Sequence, residues 1–227
     1  MAVAVRQGAR DAAGIGMTSQ RTRARMIERL RAKGIRDERV LGALGAVPRH
    51  LFVEEALASR AYEDSALPIG HGQTISQPFV VARMIEVLLQ KETAGKVLEI
   101  GTGCGYQAAV LAQVFAEVYS IERIKALHER ARTNLVGLRL ANLRLAHGDG
   151  YAGLEKAAPF DVIIGAAAAR SVPDALLRQL APGGRMLLPL HTSNGTQRLM
   201  LFERGTRAVR KTELDLVRFV PMEAGKA

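Results

Sequence analysis

Three glycines and two glutamates near the middle of the chain have the spacing of a ligand-binding turn. Gly101, Gly103 and Gly105 occupy alternate positions between an apolar, strand-like run and an apolar, helix-like run. Such glycines let the backbone turn tightly and approach a ligand closely, and the following helix aims free N–H groups at that ligand. Glu99 stands two positions before the first glycine, and Glu122 stands seventeen positions after the last. An acidic residue about 20 positions past the turn holds ribose hydroxyls in Rossmann-type folds, so the spacing predicts a site for a ribose-containing ligand.

The glycine spacing also distinguishes between cofactors. Dinucleotide sites favour G-x-G-x-x-G because a pyrophosphate sits over the turn, whereas residues 101–105 read G-x-G-x-G and follow Glu99. This E-x-G-x-G-x-G form resembles motif I of class I S-adenosylmethionine (SAM) methyltransferases. SAM has no phosphate and carries an amine, so a carboxylate beside the turn suits it. The alternative is a glycine-rich turn between strand and helix that binds no ligand.

A third acidic residue, Asp149, lies between Gly148 and Gly150 at the end of another predicted strand. Strand ends in such sheets border the ligand crevice, where an aspartate can accept a hydrogen bond from an adenine amino group. The alternative is an Asx-turn, which aspartate forms readily. Adenine contact is favoured because Glu99 and Glu122 lie at the ends of the two neighbouring strands.

The elements that would position these residues alternate between strand and helix from residue 96 onward. Strands are predicted at residues 97–100, 118–121, 143–146, 162–164 and 185–188. Helices are predicted at residues 107–115, 124–138 and 174–180, with an ill-defined segment at 151–156. Two more strands, 197–203 and 214–220, have no helix between them and fit an antiparallel pair at a sheet edge. The pattern predicts an α/β fold with a doubly wound, mostly parallel sheet of Rossmann-like type.

The N-terminal part of the chain reads as helical. Helices are predicted at residues 21–33, from an N-cap at Asp37 to a stop before Pro48, and at residues 54–59. Residues 62–77 read as a loop, and Pro78 begins a helix that runs to about residue 89. We therefore expect residues 21–227 to form one domain. It would comprise a helical cap (21–60), a substrate loop and helix (61–95) and a SAM-binding core (96–227).

Composition narrows the class of protein. The chain has 227 residues, 48% of them hydrophobic, and its apolar runs fall short of the roughly 20 residues that span a bilayer. It has neither a secretory signal pattern nor a second cysteine to pair with Cys104, which predicts a cytoplasmic protein without disulfides. The histidines are scattered, so no metal site is expected.

The net charge of +10 is concentrated at the start of the chain. Residues 1–36 contain nine basic and two acidic residues, a net charge of +7. Residues 1–20 lack hydrophobic periodicity and are expected to be a disordered, solvated basic arm, with Met17 as an alternative start. A nucleic-acid role for this arm is the less favoured interpretation.

A longer resemblance rests on residues 68–78, which read P-I-G-H-G-Q-T-I-S-Q-P. Together with residues 97–113, 148–150, 158–161 and 218–221, this segment resembles the protein-L-isoaspartate (D-aspartate) O-methyltransferases in order from about residue 26 to residue 222. The resemblance implies methyl transfer from SAM to the free carboxylate of L-isoaspartyl and D-aspartyl residues in damaged proteins and peptides. The other product would be S-adenosyl-L-homocysteine, and the ester would collapse to a succinimide that hydrolyses partly to aspartate.

Ser76 matches the serine that this family uses as its active-site residue. The acceptor carboxylate is ionised at neutral pH, with an ordinary pKa near 4, so the reaction needs positioning more than a base. The alternative for Ser76 is an N-cap for the helix that starts at Pro78. His71 is a candidate for substrate contact, with a surface loop histidine as its alternative, and Val220 lies in the matched C-terminal segment.

The sequence therefore predicts a defined set of site residues. Cofactor contacts are expected from Thr74, Ile75, Gln77, Glu99, Gly101, Thr102, Gly103, Gly105, Tyr106, Glu122, Arg123, Asp149 and Gly150. Substrate contacts are expected from His71, Ser76 and Val220, with Ser76 as the catalytic residue. We expect a monomer without membrane or specific nucleic-acid partners. The alternatives are a SAM methyltransferase acting on a small molecule or RNA, and a non-catalytic protein that binds SAM or a nucleotide.

Overall fold

The computed structural model describes residues 14–89 and 95–227. Within these residues, three α-helices precede the main sheet, namely α1 (Gln20–Ala32), α2 (Glu38–Ala46) and α3 (Pro78–Leu89). The predicted cap of α2 is confirmed, because the Asp37 carboxylate accepts hydrogen bonds from two N–H groups in the first turn. The predicted helix at residues 54–59 is a 3-10 helix, Glu55–Arg60.

The predicted disordered arm, residues 1–20, is described only in part, since residues 1–13 lie outside the described residues. Gly16–Thr18 forms a 3-10 turn, and the Ser19 side chain accepts a hydrogen bond from the N–H of Thr22 at the start of α1. Ser19 thus caps α1 at the end of the arm, and disorder of residues 1–20 stays a prediction.

A two-stranded hairpin stands where residues 62–77 were predicted to form a loop. In this hairpin β1 (Leu67–Gly70) pairs antiparallel with β2 (Gln73–Ile75). At its tip, Gly70, His71 and Gly72 all have positive φ angles, of 85°, 53° and 67°. Glycine adopts such left-handed conformations readily, whereas a histidine does so at a cost.

Seven strands form the main sheet, namely β3 (Lys96–Ile100), β4 (Glu117–Glu122), β5 (Leu143–His147), β6 (Phe160–Gly165), β7 (Leu180–His191), β8 (Gln197–Arg204) and β9 (Val209–Val217). Their order is β5-β4-β3-β6-β7-β8-β9. The first five pair in parallel, and β8 and β9 extend one side of the sheet as two antiparallel strands. The predicted fold class is confirmed. Strand order reverses between β3 and β6, and such a reversal opens a crevice at the carboxyl ends of the strands.

Three short helices follow the parallel strands, namely α4 (Tyr106–Leu111), α5 (Lys125–Leu135) and α6 (Asp174–Gln179). Three predicted elements need correction. Helix α4 ends before residue 115, and residues 151–156 contribute only to a 3-10 turn at Glu155–Ala157. The last strand, β9, starts and ends earlier than the predicted span of residues 214–220.

Apolar side chains cover both faces of the sheet. Because side chains alternate along a strand, Val97 and Leu98 of β3 enter two different buried clusters. The cluster around Val97 includes α1 to α4, and the cluster around Leu98 includes α6. Burying one large side chain such as Met26 stabilises the fold by about 1.5–3 kcal/mol. The two apolar layers therefore hold the ends of the strands in place. In the described part of the chain, no helix is long and apolar enough to cross a membrane.

Candidate active site

A cleft lies at the carboxyl ends of the central strands, and the hairpin forms one of its walls. Six separate segments of the chain line it. The predicted site residues that line it are Thr74, Ile75, Ser76, Gly101, Thr102, Gly103, Tyr106, Glu122, Arg123, Gly150 and Val220. The fold thus brings together residues that are up to 146 positions apart in the sequence.

The glycine turn between β3 and α4 forms the floor of the cleft. Gly103 has a φ angle of 56° and Gly105 has a φ angle of 93°. A Cβ atom on Gly105 would lie 3.0 Å from the Cδ1 atom of Leu135 in α5, so the Leu135 side chain would have to shift by a few tenths of an ångström. The spacing of these glycines therefore reflects both backbone conformation and the close approach of a neighbouring helix.

Glu122 ends β4 inside the cleft and is only 5% exposed. Its Oε2 atom accepts a hydrogen bond of 2.8 Å from the N–H of Gly103, and its Oε1 atom accepts one of 2.9 Å from the N–H of Ile124. Each carboxylate oxygen has a second lone pair. The side chain is therefore held rigidly and can still accept hydrogen bonds from a ligand in the cleft.

Glu99 lies behind the turn and does not line the cleft. Its neighbour Ile100, the last residue of β3, does line the cleft. Glu99 is fully buried, and its Oε2 atom accepts a hydrogen bond from Ser120. The hydroxyl groups of Ser120 and Thr102 are 2.6 Å apart, which extends this network to the glycine turn. Burial raises the pKa of Glu99 to about 8, although the Ser120 hydrogen bond acts in the opposite direction.

Tyr106 lines the cleft at the start of α4 and rests on a buried arginine. The guanidinium carbon of Arg49 lies 4.8 Å from the centre of the Tyr106 ring. Arg49 is completely buried, and its Nε–H donates a hydrogen bond of 2.8 Å to the carbonyl of Ala61. Burial raises the pKa of Tyr106 to about 12. Arg49 was not predicted as a site residue, because an isolated arginine in the helical cap carries no motif.

Ser76 lines the cleft and also borders a groove that adjoins it. The alternative role of Ser76 as the cap of α3 is not observed. The first N–H group of α3 belongs to Phe79, since Pro78 has none, and it donates a hydrogen bond of 2.9 Å to Oδ1 of Asp64. The described residues provide no hydrogen bond to the Ser76 hydroxyl. Gln77 borders only the groove.

Three other predicted residues lie outside the cleft lining. His71 is exposed at the hairpin tip, and Gly105 lies behind the turn. The Oδ1 atom of Asp149 accepts a hydrogen bond of 2.8 Å from the N–H of Tyr151, as in the Asx-turn alternative. Its Oδ2 atom accepts one of 2.9 Å from the N–H of Gly225 near the C-terminus.

The cleft also contains residues that the sequence analysis did not single out. They are Gln73, Val81, Ile100, Cys104, Gln107, Ile121, Ile124, Leu127, Ala166, Ala167, Pro221, Met222 and Glu223. Ile100 and Ile121 could have been found as the ends of predicted strands, whereas Glu223 carries no sequence signal. Across the described residues, no group of three or more His, Cys, Asp or Glu side chains is placed to hold a metal ion.

Comparison with known proteins gives matches over nearly the whole chain. A family model described as protein-L-isoaspartate(D-aspartate) O-methyltransferase matches residues 21–227. A protein-L-isoaspartate O-methyltransferase of Dechloromonas aromatica is 63% identical over 213 residues, which are 93% of this chain and 98% of that protein. Its counterpart in Chromobacterium violaceum is 59% identical over 216 residues, which are 95% of this chain and 96% of that protein.

Two solved structures are similar over most of the fold. One, a protein-L-isoaspartate O-methyltransferase, has a TM-score of 0.82 and 29% identity, and the match covers 89% of this chain and 66% of that one. The other, a protein from Plasmodium falciparum described as the same kind of enzyme, was solved in complex with S-adenosyl-L-homocysteine. It has a TM-score of 0.77 and 26% identity, with 88% of this chain and 98% of that one covered. On the strength of the family model and the relatives of about 60% identity, this chain belongs to the protein-L-isoaspartate(D-aspartate) O-methyltransferase family.

Proposed function

We propose that this protein transfers a methyl group from SAM to the free carboxylate of L-isoaspartyl and D-aspartyl residues in damaged proteins and peptides. A carboxylate oxygen forms the new bond to the methyl carbon, the bond from that carbon to sulfur breaks, and S-adenosyl-L-homocysteine leaves. The observation that carries the proposal is the meeting of Glu122, the glycine turn and the Ser76 hydroxyl in one cleft. Family membership supports the same reaction.

The residues of the cleft fit SAM. Glu122 offers carboxylate oxygens for ribose hydroxyls, and the turn at Gly101 and Gly103 lets the ligand approach the backbone. The Gln107 side chain is 7% exposed and lines the cleft, and a hydrogen bond from its amide to the buried Glu99 carboxyl opposes the rise in the pKa of Glu99.

Other predicted cofactor residues take more specific places in the proposal. Gly150 borders the adenine end, and Asp149 beside it keeps one free lone pair on each oxygen for an adenine amino group. In this proposal Thr74, Ile75, Thr102, Tyr106 and Arg123 form the remaining cofactor wall, with Gln77 on the side of the groove and Gly105 before the start of α4. We assign Glu99 to the support of the turn through Ser120 and Thr102, rather than to ligand contact.

SAM supplies a methyl group that is already activated by the sulfonium. The protein then has to hold the acceptor, because the acceptor carboxylate is ionised at neutral pH and needs no general base. In our proposal the Ser76 hydroxyl donates a hydrogen bond to one carboxylate oxygen and orients the other toward the methyl carbon. Holding the reacting atoms about 3–3.5 Å apart and in line lowers the free-energy barrier to methyl transfer.

The groove beside Ser76 is the proposed path of the acceptor peptide. It shares Thr74, Ser76, Ala166 and Val220 with the cleft, and it leads outward past Arg218 and Phe219. Val220 borders both spaces, which supports its assignment to the substrate side. His71 is kept as a residue that approaches the substrate from the hairpin tip.

The remaining predictions are part of the same proposal. We infer one catalytic domain over residues 21–227, acting as a monomer on protein and peptide substrates. The location is the cytoplasm, which suits a chain whose lone cysteine, Cys104, is buried and free. The basic residues at the N-terminus have no role in the reaction.

A three-substrate assay tests the proposal. The purified protein is incubated with methyl-labelled SAM and an isoaspartyl peptide, the matching aspartyl peptide or RNA. Base-labile label in the isoaspartyl peptide alone is the expected result. Label in RNA alone, or equal label in both peptides, would overturn the proposed substrate. Absence of transfer to all three, with SAM bound, would favour a binding protein instead.

A further inference from the structure

The start of α3 is capped from a distant loop. A helix begins with N–H groups that have no partner inside the helix, and a serine, threonine, aspartate or asparagine beside the helix usually binds them. Ser76 is the residue of this type nearest to Pro78, where α3 begins. The capping oxygen comes instead from Asp64, fifteen positions before Phe79.

Asp64 is itself held by the N-terminal helical layer. Its Oδ2 atom forms an ion pair with Nζ of Lys33, the residue that follows α1, and the Asp64 side chain is only 11% exposed. The same Lys33 ammonium lies 5.5 Å from the centre of the Phe79 ring. Burial opposes ionisation of Asp64, but the hydrogen bonds from Lys33 and Phe79 hold its pKa below the ordinary value. The capping group is therefore a fixed carboxylate that joins α1 to α3.

Ser76 lies on a short connection with an anchor on each side. Before it, β2 is paired with β1, and Arg130 of α5 donates a hydrogen bond of 2.9 Å to the carbonyl of Ile69 in β1. After it, the hydrogen bond from Phe79 to Asp64 fixes the chain only three residues away. Catalysis by positioning is sensitive to such anchors, because a misplacement of about 1 Å can cost about 100-fold in rate.

We propose that Asp64 is a positioning residue for methyl transfer: it caps α3 in place of Ser76 and so leaves the Ser76 hydroxyl available to the acceptor carboxylate. The inference rests on the proposed function, in which Ser76 orients that carboxylate. Asp64 itself lies outside the cleft lining and touches no reacting atom. Its effect should therefore act through Ser76 and on turnover rather than on cofactor binding.

Four variants separate this role from simple stabilisation. Asp64→Ala removes the cap, whereas Asp64→Asn keeps an oxygen that can accept the Phe79 hydrogen bond. Lys33→Met removes the ion pair and leaves the cap. Glu63→Gln is the matched control, since Glu63 adjoins Asp64 but is half exposed and pairs only with Arg60 among the described residues. Turnover and KM for SAM are measured for each with the isoaspartyl peptide, and thermal unfolding is measured alongside.

Asp64→Ala is expected to lower kcat at least tenfold, with KM for SAM within threefold of wild type. Lys33→Met should lower the melting temperature but keep kcat within threefold of wild type. Asp64→Asn should likewise keep kcat within threefold of wild type. Equal losses of kcat in Asp64→Ala and Lys33→Met would overturn the proposal, as would wild-type kcat in Asp64→Ala. If Asp64→Ala does not fold, Asp64→Leu, which is close to aspartate in size and has no acceptor oxygen, replaces it with the same expectations.

A double-mutant cycle with Ser76→Ala completes the test. If Asp64 acts by freeing Ser76, adding Asp64→Ala to Ser76→Ala should lower kcat less than threefold further. If kcat of the double variant is a further tenfold below that of Ser76→Ala alone, Asp64 acts independently of Ser76, and the proposal is overturned. If the wild-type protein fails to methylate the isoaspartyl peptide, the proposed function itself is overturned. An Asp64→Ala variant with wild-type kcat is a different outcome, because it overturns only the role of Asp64.

Discussion

The backbone N–H of Gly103 donates a hydrogen bond of 2.8 Å to Oε2 of Glu122. This bond ties the floor of the cleft to the residue that we expect to hold the ribose. A carboxylate at the end of β4 therefore has two tasks, to shape the glycine turn and to bind the ligand. Substitution of Glu122 should affect both, and the two effects can be separated by the choice of replacement.

Glu122→Ala should weaken SAM binding by about 1.5–3 kcal/mol, the usual range for a hydrogen bond to a charged group. Glu122→Gln should lose less, because its amide oxygen can still accept the hydrogen bond from Gly103. Calorimetric titration with SAM measures both, with Glu117→Gln at the opposite end of β4 as the control. Unchanged affinity in a folded Glu122→Ala protein would remove Glu122 from the site.

Ser76→Ala should slow methyl transfer by about 10- to 150-fold, which corresponds to loss of one hydrogen bond of about 1.5–3 kcal/mol to a charged group. SAM affinity should stay the same. Because Asp64 caps α3, we expect the free energy of unfolding to change by no more than about 0.5 kcal/mol, the usual range for a residue without a structural contact.

Ser76→Thr keeps the hydroxyl and adds a methyl group, so it tests the geometry of the channel. Single-turnover rates with the isoaspartyl peptide and denaturant unfolding check both variants. Full activity in Ser76→Ala would leave Ser76 without a catalytic role, and a methylated Ser76 detected by mass spectrometry would replace positioning with covalent catalysis.

Glu99→Gln should leave SAM binding intact and change the pH dependence of stability. The folded carboxyl has a pKa of about 8, against an ordinary value of 4.5. Between these values the unfolded chain releases a proton that the folded protein keeps. The contribution of Glu99 to stability is therefore complete below pH 4.5 and declines as the pH rises to 8, by up to about 1.4 kcal/mol per pH unit.

Glutamine has no such proton, so the free energy of unfolding of Glu99→Gln should fall less steeply from pH 5 to pH 8. Denaturant unfolding at pH 5, 6.5 and 8 gives the two slopes, with Glu117→Gln as the control. Parallel slopes for Glu99→Gln and wild type would mean that Glu99 is charged in the folded protein.

Arg49→Lys should destabilise the protein by about 2 kcal/mol, because lysine cannot both donate to Ala61 and lie against the Tyr106 ring. SAM affinity should fall as well, since Tyr106 lines the cleft. Arg60→Lys, which changes an exposed arginine paired with Glu63, should change neither. Denaturant unfolding and calorimetry provide the measurements, and wild-type values for Arg49→Lys would show that the buried guanidinium is dispensable.

The regular α/β alternation was readable from the sequence because buried strands such as β3 and β6 are apolar on both faces. The hairpin was not readable. Its alternation of buried Leu67 and Ile69 with exposed Pro68 and Gly70 covers only four residues, and Gly70 is already the first of three consecutive left-handed residues. β9 was misplaced for a related reason. Seven of its nine residues are exposed, so no apolar pattern marks the strand at the sheet edge.

Site residues were predictable where their spacing along the chain determines their role. They were less predictable where the role depends on the direction of a side chain. The glycine turn and Glu122 follow from local sequence and strand order. Glu99 was expected at the ligand, but it lies one residue before the end of β3, outside the cleft lining, where it accepts a hydrogen bond from Ser120. The contacts of Asp64 and Arg49 depend on long-range packing, and a single sequence contains no pattern that predicts them.

The walls of the cleft come from residues as far apart as Gln73 and Glu223, and this dispersal links ligand binding to the integrity of the whole chain. An unfolded or truncated chain has no partial version of such a site, so SAM binds only the native state. At a SAM concentration 100 times the Kd, the free energy of unfolding should rise by about 2.7 kcal/mol. An enzyme that repairs ageing proteins would then be protected against its own unfolding by the supply of its methyl donor.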